Sequence, residues 1–334
     1  MRQTRSTAAL FAVLALIWGS EWMLADSLRG SPPLATGSLR CLAAGAVLLP
    51  FAWRARRTLI GNSDGAISLS SNVLIGAGLI AVPEILLILA GTHAGFGDRS
   101  AIFAAVPLLV ASCRARTRGL QAFCLAGLTG IALFVAAALS LSWRTLPSLL
   151  AAVAAALVTA GALLFAEAVW ERAPAVGSVS HTQPNQQPSK MSIPSISIPA
   201  AVCVQLLAAA AVLATASLAL ERRMGSWPMI SWPMISWQPG SDWALALGAA
   251  ATCGGYLLFF SLLRVLPAAK LAAVFWGQTL VAAGEAAWLF RQRLDWQMLL
   301  GAAVILGSLV LLLRAPDAAD SDSDPLILRI TGGP

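Results

Sequence analysis

Charge is what this sequence has least of. Only 11% of its 334 residues are Asp, Glu, Lys or Arg, against about 25% in an average soluble domain. A soluble chain of this length divides into roughly two domains, each needing a charged surface to stay dispersed. That argues against an ordinary soluble enzyme and makes lipid the main solvent. Histidine is scarce as well: His93 and His181 lie far apart, and the five cysteines (Cys41, Cys113, Cys124, Cys203, Cys253) show no ligand spacing. The pattern argues against a metal site and a disulfide framework and reads the cysteines as small hydrophobes. No GxxxxGK[ST] occurs, so ATP is not the direct driver, and no HExxH marks an intramembrane hydrolase. No cofactor is expected.

What is abundant is apolar sequence, 58% of the chain. Runs able to cross about 30 Å of hydrocarbon, roughly 20 residues each, recur ten times: 7–28, 35–53, 72–92, 98–113, 120–140, 146–170, 199–220, 242–263, 268–290 and 296–314. The fourth is the shortest, with Arg114 closing it. The first has Arg2 and Arg5 ahead of it, like a secretory signal, but its length and the nine runs behind it favour a retained helix.

Ten crossings put both termini on one side. Fourteen Lys/Arg then fall on that side, seven on the other, and Arg40 lies within the membrane. The positive-inside rule makes both termini cytoplasmic, and the net charge of +7 reflects anchoring, with no nucleic-acid partner. Eight of the twelve tryptophans, among them Trp53, Trp143, Trp170 and Trp296, fall near predicted helix ends, as an interfacial belt requires. Residues 173–199 read as a flexible cytoplasmic linker and 315–334 as an acidic cytoplasmic tail. From Ser226 to Trp237 the pentad SWPMI occurs twice before a final SW, and its prolines predict an external interfacial loop.

The two halves are related. Leu16–Pro33 overlays Leu157–Pro174 without a gap, with Asp26 on Glu167; Pro83–Pro107 overlays Gly255–Thr279, with Glu84 on Tyr256. Five helices per copy is an odd number, so the second copy starts on the other side of the membrane and the repeats are inverted. The expected fold is an all-α integral membrane protein of ten transmembrane helices, as five-helix repeats 7–140 and 146–314.

Trp18-Gly19-Ser20 in the first helix, Pro32-Pro33 before the second, Arg40 within it, and Gly301 to Gly307 (GAAVILG) in the last resemble the EamA-like family of the drug/metabolite transporter superfamily. The resemblance runs over about 7–314. It implies two inverted repeats, a central cavity lined by helices 1, 3, 4, 6, 8 and 9, and export or exchange of small metabolites. The chain also departs from the pattern. The family's Glu-Pro-Val in helix 9 reads Gln278-Thr279-Leu280, and the Gly-Glu closing that helix reads Arg291-Gln292; in helix 4 Pro107 is kept, but the segment behind it becomes Arg114 to Arg118.

An ionisable residue at membrane depth costs about 2.5 to 3.5 kcal/mol on insertion scales and needs a partner or a wet cavity. Glu21 lies past the middle of helix 1 between Trp18 and Trp22, either as a cavity carboxylate beside an aromatic wall or paired with Arg40 as a structural ion pair. Glu84 follows Pro83 in a helix that the proline permits to kink, which makes it the candidate proton-coupling group. Glu285, with Gln278 two turns earlier on the same face, and Tyr256, the sole tyrosine, are candidate substrate-binding residues alongside Trp18, Glu21 and Trp22; for each, plain packing or a structural bond is the competing role. Asp26 and Glu167 read as interfacial and Lys270 as a snorkelling lysine.

The expected function is a secondary transporter exporting a small metabolite or amphipathic compound across the plasma membrane, with proton antiport as the candidate coupling. Its partners are a small-molecule substrate and the bilayer, and a homodimer is allowed. A non-transporting assembly or sensor subunit is the alternative, and an intramembrane enzyme is the least favoured. Reporters fused after Arg57 and Arg314 should report cytoplasm, and one inserted near Ser226 the exterior; an external signal after Arg314 would overturn the ten-helix count.

Overall fold

A computed structural model describes residues 2–27, 32–56, 68–90, 105–114, 146–171, 197–221 and 241–289, and every long regular element among them is a helix. The expected crossings 120–140 and 296–314, residues 173–196 of the linker, the SWPMI repeat and the tail lie outside the described residues, and the last linker residues, Ile198 and Pro199, already belong to a helix. The helices are α1 (Arg2–Ser27), α2 (Pro33–Arg54), α3 (Leu69–Gly76, Ala77–Ala81 and Val82–Ala90), α4 (Ala105–Arg114), α5 (Leu146–Glu171), α6 (Ile198–Ala216 and Ser217–Glu221), α7 (Ser241–Leu263), α8 (Ala268–Ala272) and α9 (Val274–Leu289). Five stretches are long and apolar enough to cross a bilayer: Pro33–Arg54, Leu69–Leu89, Leu150–Trp170, Ile198–Glu221 and Asp242–Leu263.

Local chemistry sets where these helices start and bend. Pro33 opens α2 in the first turn, where its missing N–H is no loss. The Ser68 side chain accepts from Ser71 N at 3.1 Å and caps α3. Within α3 the chain widens to a π turn at Ala77–Ala81, with Val82 N donating to Ala77 O. Pro83 follows at once; it has no donor for the carbonyl four residues back, and the wider turn carries the chain past that gap. The run 268–290, expected as one helix, is interrupted at Ala273, with short α8 before it and α9 after.

The helices meet along close seams. α2 and α6 run antiparallel: Ser38 Oγ donates to Ala210 O at 2.9 Å and Cys203 Sγ to Gly45 O at 3.3 Å. α3 crosses α6 at Gly76, where a Cβ would stand 2.2 Å from Gln205 O, and one turn earlier Gln205 Nε2 donates to Asn72 Oδ1 at 3.0 Å. α1 is antiparallel to α7 and parallel to α9, which it meets through Ala15 on Gly277 and Gly19 on Val281. α5 packs on α3 and α4. In lipid the apolar effect between helices is lost, so such close backbone approaches and interhelical hydrogen bonds hold the bundle. Outward, Leu16, Val47, Leu49, Leu74, Leu157 and Leu247 are exposed, as lipid-facing side chains are. Arg56 lies over the Trp53 ring at 4.5 Å and Arg264 over Trp170 at 4.9 Å, pairs suited to the headgroup layer.

Two glycine substitutions separate contact from propensity. Gly76→Ala must push α3 off the α6 backbone and should lower thermal stability by about 1–3 kcal/mol. Gly161→Ala in α5 meets nothing within 4 Å and should be neutral or stabilising by up to about 1 kcal/mol. Thermal unfolding of the two purified variants in one detergent checks the contrast.

Candidate functional site

Arg40 stands two turns into α2, and its guanidinium is shared. Nη1 lies 3.0 Å from Glu21 Oε1 on α1, while Nη2 reaches Glu84 Oε1 and Oε2 on α3 at 3.0 and 3.1 Å. Thr252 Oγ1 of α7 donates to Glu21 Oε1 at 2.6 Å. Four helices therefore meet at one cation. Gly37 makes room for this, since a Cβ there would stand 2.5 Å from Glu84 Oε1, and Gly248 lets α7 close on the Arg40 stem. The side chains of Arg40, Glu21 and Glu84 keep only 17%, 18% and 22% of their exposure. Two carboxylates against one guanidinium leave the cluster one negative charge in surplus when all three are ionised.

On a neighbouring face of α1, Ser20 Oγ donates to Glu285 Oε1 of α9 at 2.6 Å, and Glu285 Oε2 is shut from solvent with no hydrogen-bond partner. Gln278, two turns earlier on α9, is buried and its Oε1 is likewise without a partner. Trp18 is buried in an aromatic cluster, with ring centroids 5.4 Å from Tyr256, 5.0 Å from Phe259 and 5.6 Å from Phe275. Tyr256 also stacks on Phe260 at 6.5 Å. The Trp22 side chain lies outside the described residues.

The structure thus brings Glu21, Arg40 and Glu84 together, Trp18 and Tyr256 together, and joins Glu285 to α1 through Ser20. Thr252 and Gly37 do not stand out in the sequence, and Ser20 does so only within the Trp18-Gly19-Ser20 motif and not as a partner of Glu285, because hydroxyl and glycine residues in apolar runs carry no pairing signal until their neighbours are known. Glu167, expected at the interface, is buried and accepts from Ala268 N at 2.8 Å, capping α8 from α5. Glu221, also buried, accepts from Leu34 N at 2.8 Å and from Ser217 Oγ, capping α2 from α6. Among the described residues no group of three or more His, Cys, Asp or Glu could hold a metal ion, and Cys41, Cys113, Cys203 and Cys253 are free.

Residues 5–115 match the profile of the EamA-like transporter family. Over that stretch the chain is similar to the family. The EamA-like segment contains nearly all of α1 and the whole of α2, α3 and α4, and with them Glu21, Arg40 and Glu84; Thr252, Tyr256 and Glu285 lie beyond it. A solved structure described only as "Crystal structure of protein" is similar, at TM-score 0.62 and 17% identity over 92% of this chain and 97% of that one. At that identity the likeness is one of fold. No curated protein matches. With a segment similar to the EamA-like family and five helices apolar and long enough to cross a bilayer, the chain is a multi-pass membrane protein.

Removing the shared cation should cost more than removing either carboxylate's charge. Arg40→Gln leaves two buried carboxylates unpaired and should destabilise by about 3–5 kcal/mol; Glu21→Gln keeps the two-bonded Arg40–Glu84 pair and should cost less. Thermal unfolding of both variants tests the order, and equal losses would mean that the two carboxylates do not share Arg40.

Proposed function

We propose that the protein is a secondary transporter that exports a small metabolite or amphipathic compound across the plasma membrane, with proton antiport as its coupling and both termini in the cytoplasm. It is not read as an enzyme. The observation that carries this is the Glu21–Arg40–Glu84 cluster inside the EamA-like segment. Charged groups at membrane depth are costly, and well-packed apolar residues would join three helices at least as stably. A charged cluster there is accounted for by a task that needs charge.

The helix pairing supports two inverted repeats, 7–140 and 146–314. The first helix of one half, α1, packs on the third and fourth of the other, α7 and α9; the first of the other half, α5, packs on α3 and α4. The two second helices, α2 and α6, pack on each other, and each also meets the other half's third helix. This reciprocity is what a pseudo-twofold axis in the membrane plane produces.

Glu84 is the coupling group in this reading. A proton arriving on it removes one of the charges that Arg40 bridges and loosens α3 from α2, while Trp18, Glu21, Trp22, Tyr256, Gln278 and Glu285 belong to the substrate path. Flux into vesicles with and without an imposed pH gradient tests this. Glu84→Gln, which mimics the protonated form, should lose gradient-driven accumulation yet keep substrate exchange. Accumulation equal to the unsubstituted protein removes Glu84 as the proton carrier, and binding without any flux would favour the sensor or assembly alternative.

A further inference from the structure

Where α9 packs on α1 it carries two buried acceptor oxygens with no donor on them. The two terminal nitrogens of Arg40 are spent on Glu21 and Glu84, and Glu285 pairs with neither of them. Glu285 receives one bond, from the Ser20 hydroxyl, and its Oε2 is buried and empty. Gln278 presents a second buried, empty oxygen on the same face of α9. Seven residues separate the two, about 10 Å along the axis. The site is narrow on its α1 side: Gly19 sits so close to α9 that a Cβ would stand 2.5 Å from the Val281 side chain.

A carboxylate in a desolvated seam with one neutral donor is poorly compensated. Whatever completes it must bring N–H or O–H donors, and a positive charge above all. An anion would meet a carboxylate and an amide oxygen. A divalent metal would find one carboxylate, one amide and a hydroxyl, short of the six to eight oxygens that a hard ion such as calcium takes. A primary ammonium brings three donors and one positive charge on a point.

We propose that Ser20, Glu285 and Gln278 form an ammonium-binding site and that the transported compound is an elongated organic cation, its ammonium on Glu285 and a second donor reaching Gln278. The proposal rests on the transporter reading above and adds the substrate class to it.

The probe is 1,4-diaminobutane, with 1,4-butanediol and succinate as its uncharged and anionic counterparts of the same chain length. Calorimetric titration of the full-length protein in detergent should show the diamine binding at least about tenfold tighter than either counterpart, since a charge-paired site rejects analogues lacking the charge. Glu285→Gln should abolish that preference, Glu285→Asp should retain it, and Ser20→Ala should weaken diamine binding several-fold. No diamine binding, equal binding of the three compounds, or an unchanged preference in Glu285→Gln overturns the site. Should Glu285→Gln fail to fold, an unchanged diamine affinity in Ser20→Ala overturns it instead. Uptake of radiolabelled compounds into proteoliposomes keeps the two readings apart. Diamine that binds and is not moved defeats the transporter reading and leaves the site, whereas equal uptake of all three defeats the site and leaves the transporter.

Discussion

One guanidinium serving two carboxylates, with little water to share the charge, is the constraint around which α1, α2, α3 and α7 are placed. α1, α2 and α3 cannot separate without leaving a buried charge unpaired, at a cost of about 3–5 kcal/mol, and α7 cannot leave without taking the Thr252 hydrogen bond from Glu21. A transporter must nonetheless separate helices in the course of its cycle. Motion at this point therefore needs a compensating event, a proton or a ligand charge that takes the place of the broken pair, and that requirement ties conformational change to the chemistry of what is bound. The geometry is tight enough for this to work only because Gly37 and Gly248 let the partner helices approach Arg40.

The same logic recurs at the ends of the bundle. Glu221 holds the first N–H of α2 from α6, and Glu167 holds that of α8 from α5. Each carboxylate neutralises the partial positive charge of a helix start that a proline introduces. The middle of the molecule is thus held by an ion pair and its rims by carboxylates on backbone, all of them bonds that protonation weakens.

The sequence carried the helices well where apolar length and flanking charge agree: 35–53, 72–92, 146–170, 199–220 and 242–263 fall within a few residues of α2, α3, α5, α6 and α7. Hydropathy reports burial in lipid and is blind to small changes of winding, so the π turn at Ala77–Ala81 and the interruption at Ala273 were not legible. The ionisable residues at membrane depth could be picked out by their cost alone. Their partners could not, because pairing depends on helix rotation: Glu84 reaches α2, Glu285 reaches Ser20, and Glu21 finds Thr252 more than two hundred residues away. Glu167 shows the limit most plainly. Nearness to a helix end suggested solvent, but another helix begins there and covers it.

The π turn in α3 has a bearing on how the protein tolerates change. Each residue of an α-helix advances its neighbour by about 100° around the axis, and the wider turn absorbs one residue more than a regular helix would. Before it, Asn72 and Gly76 face α6; after it, Glu84 faces Arg40 on α2. The turn works as an angular phase shifter between two seams on a single rod. Loss of one residue from Ala77–Ala81 would leave a straighter helix and a longer uninterrupted ladder, yet it would swing the carboxylate away from its guanidinium. At this place in the chain, regularity and charge pairing are incompatible, and the fold keeps the pairing.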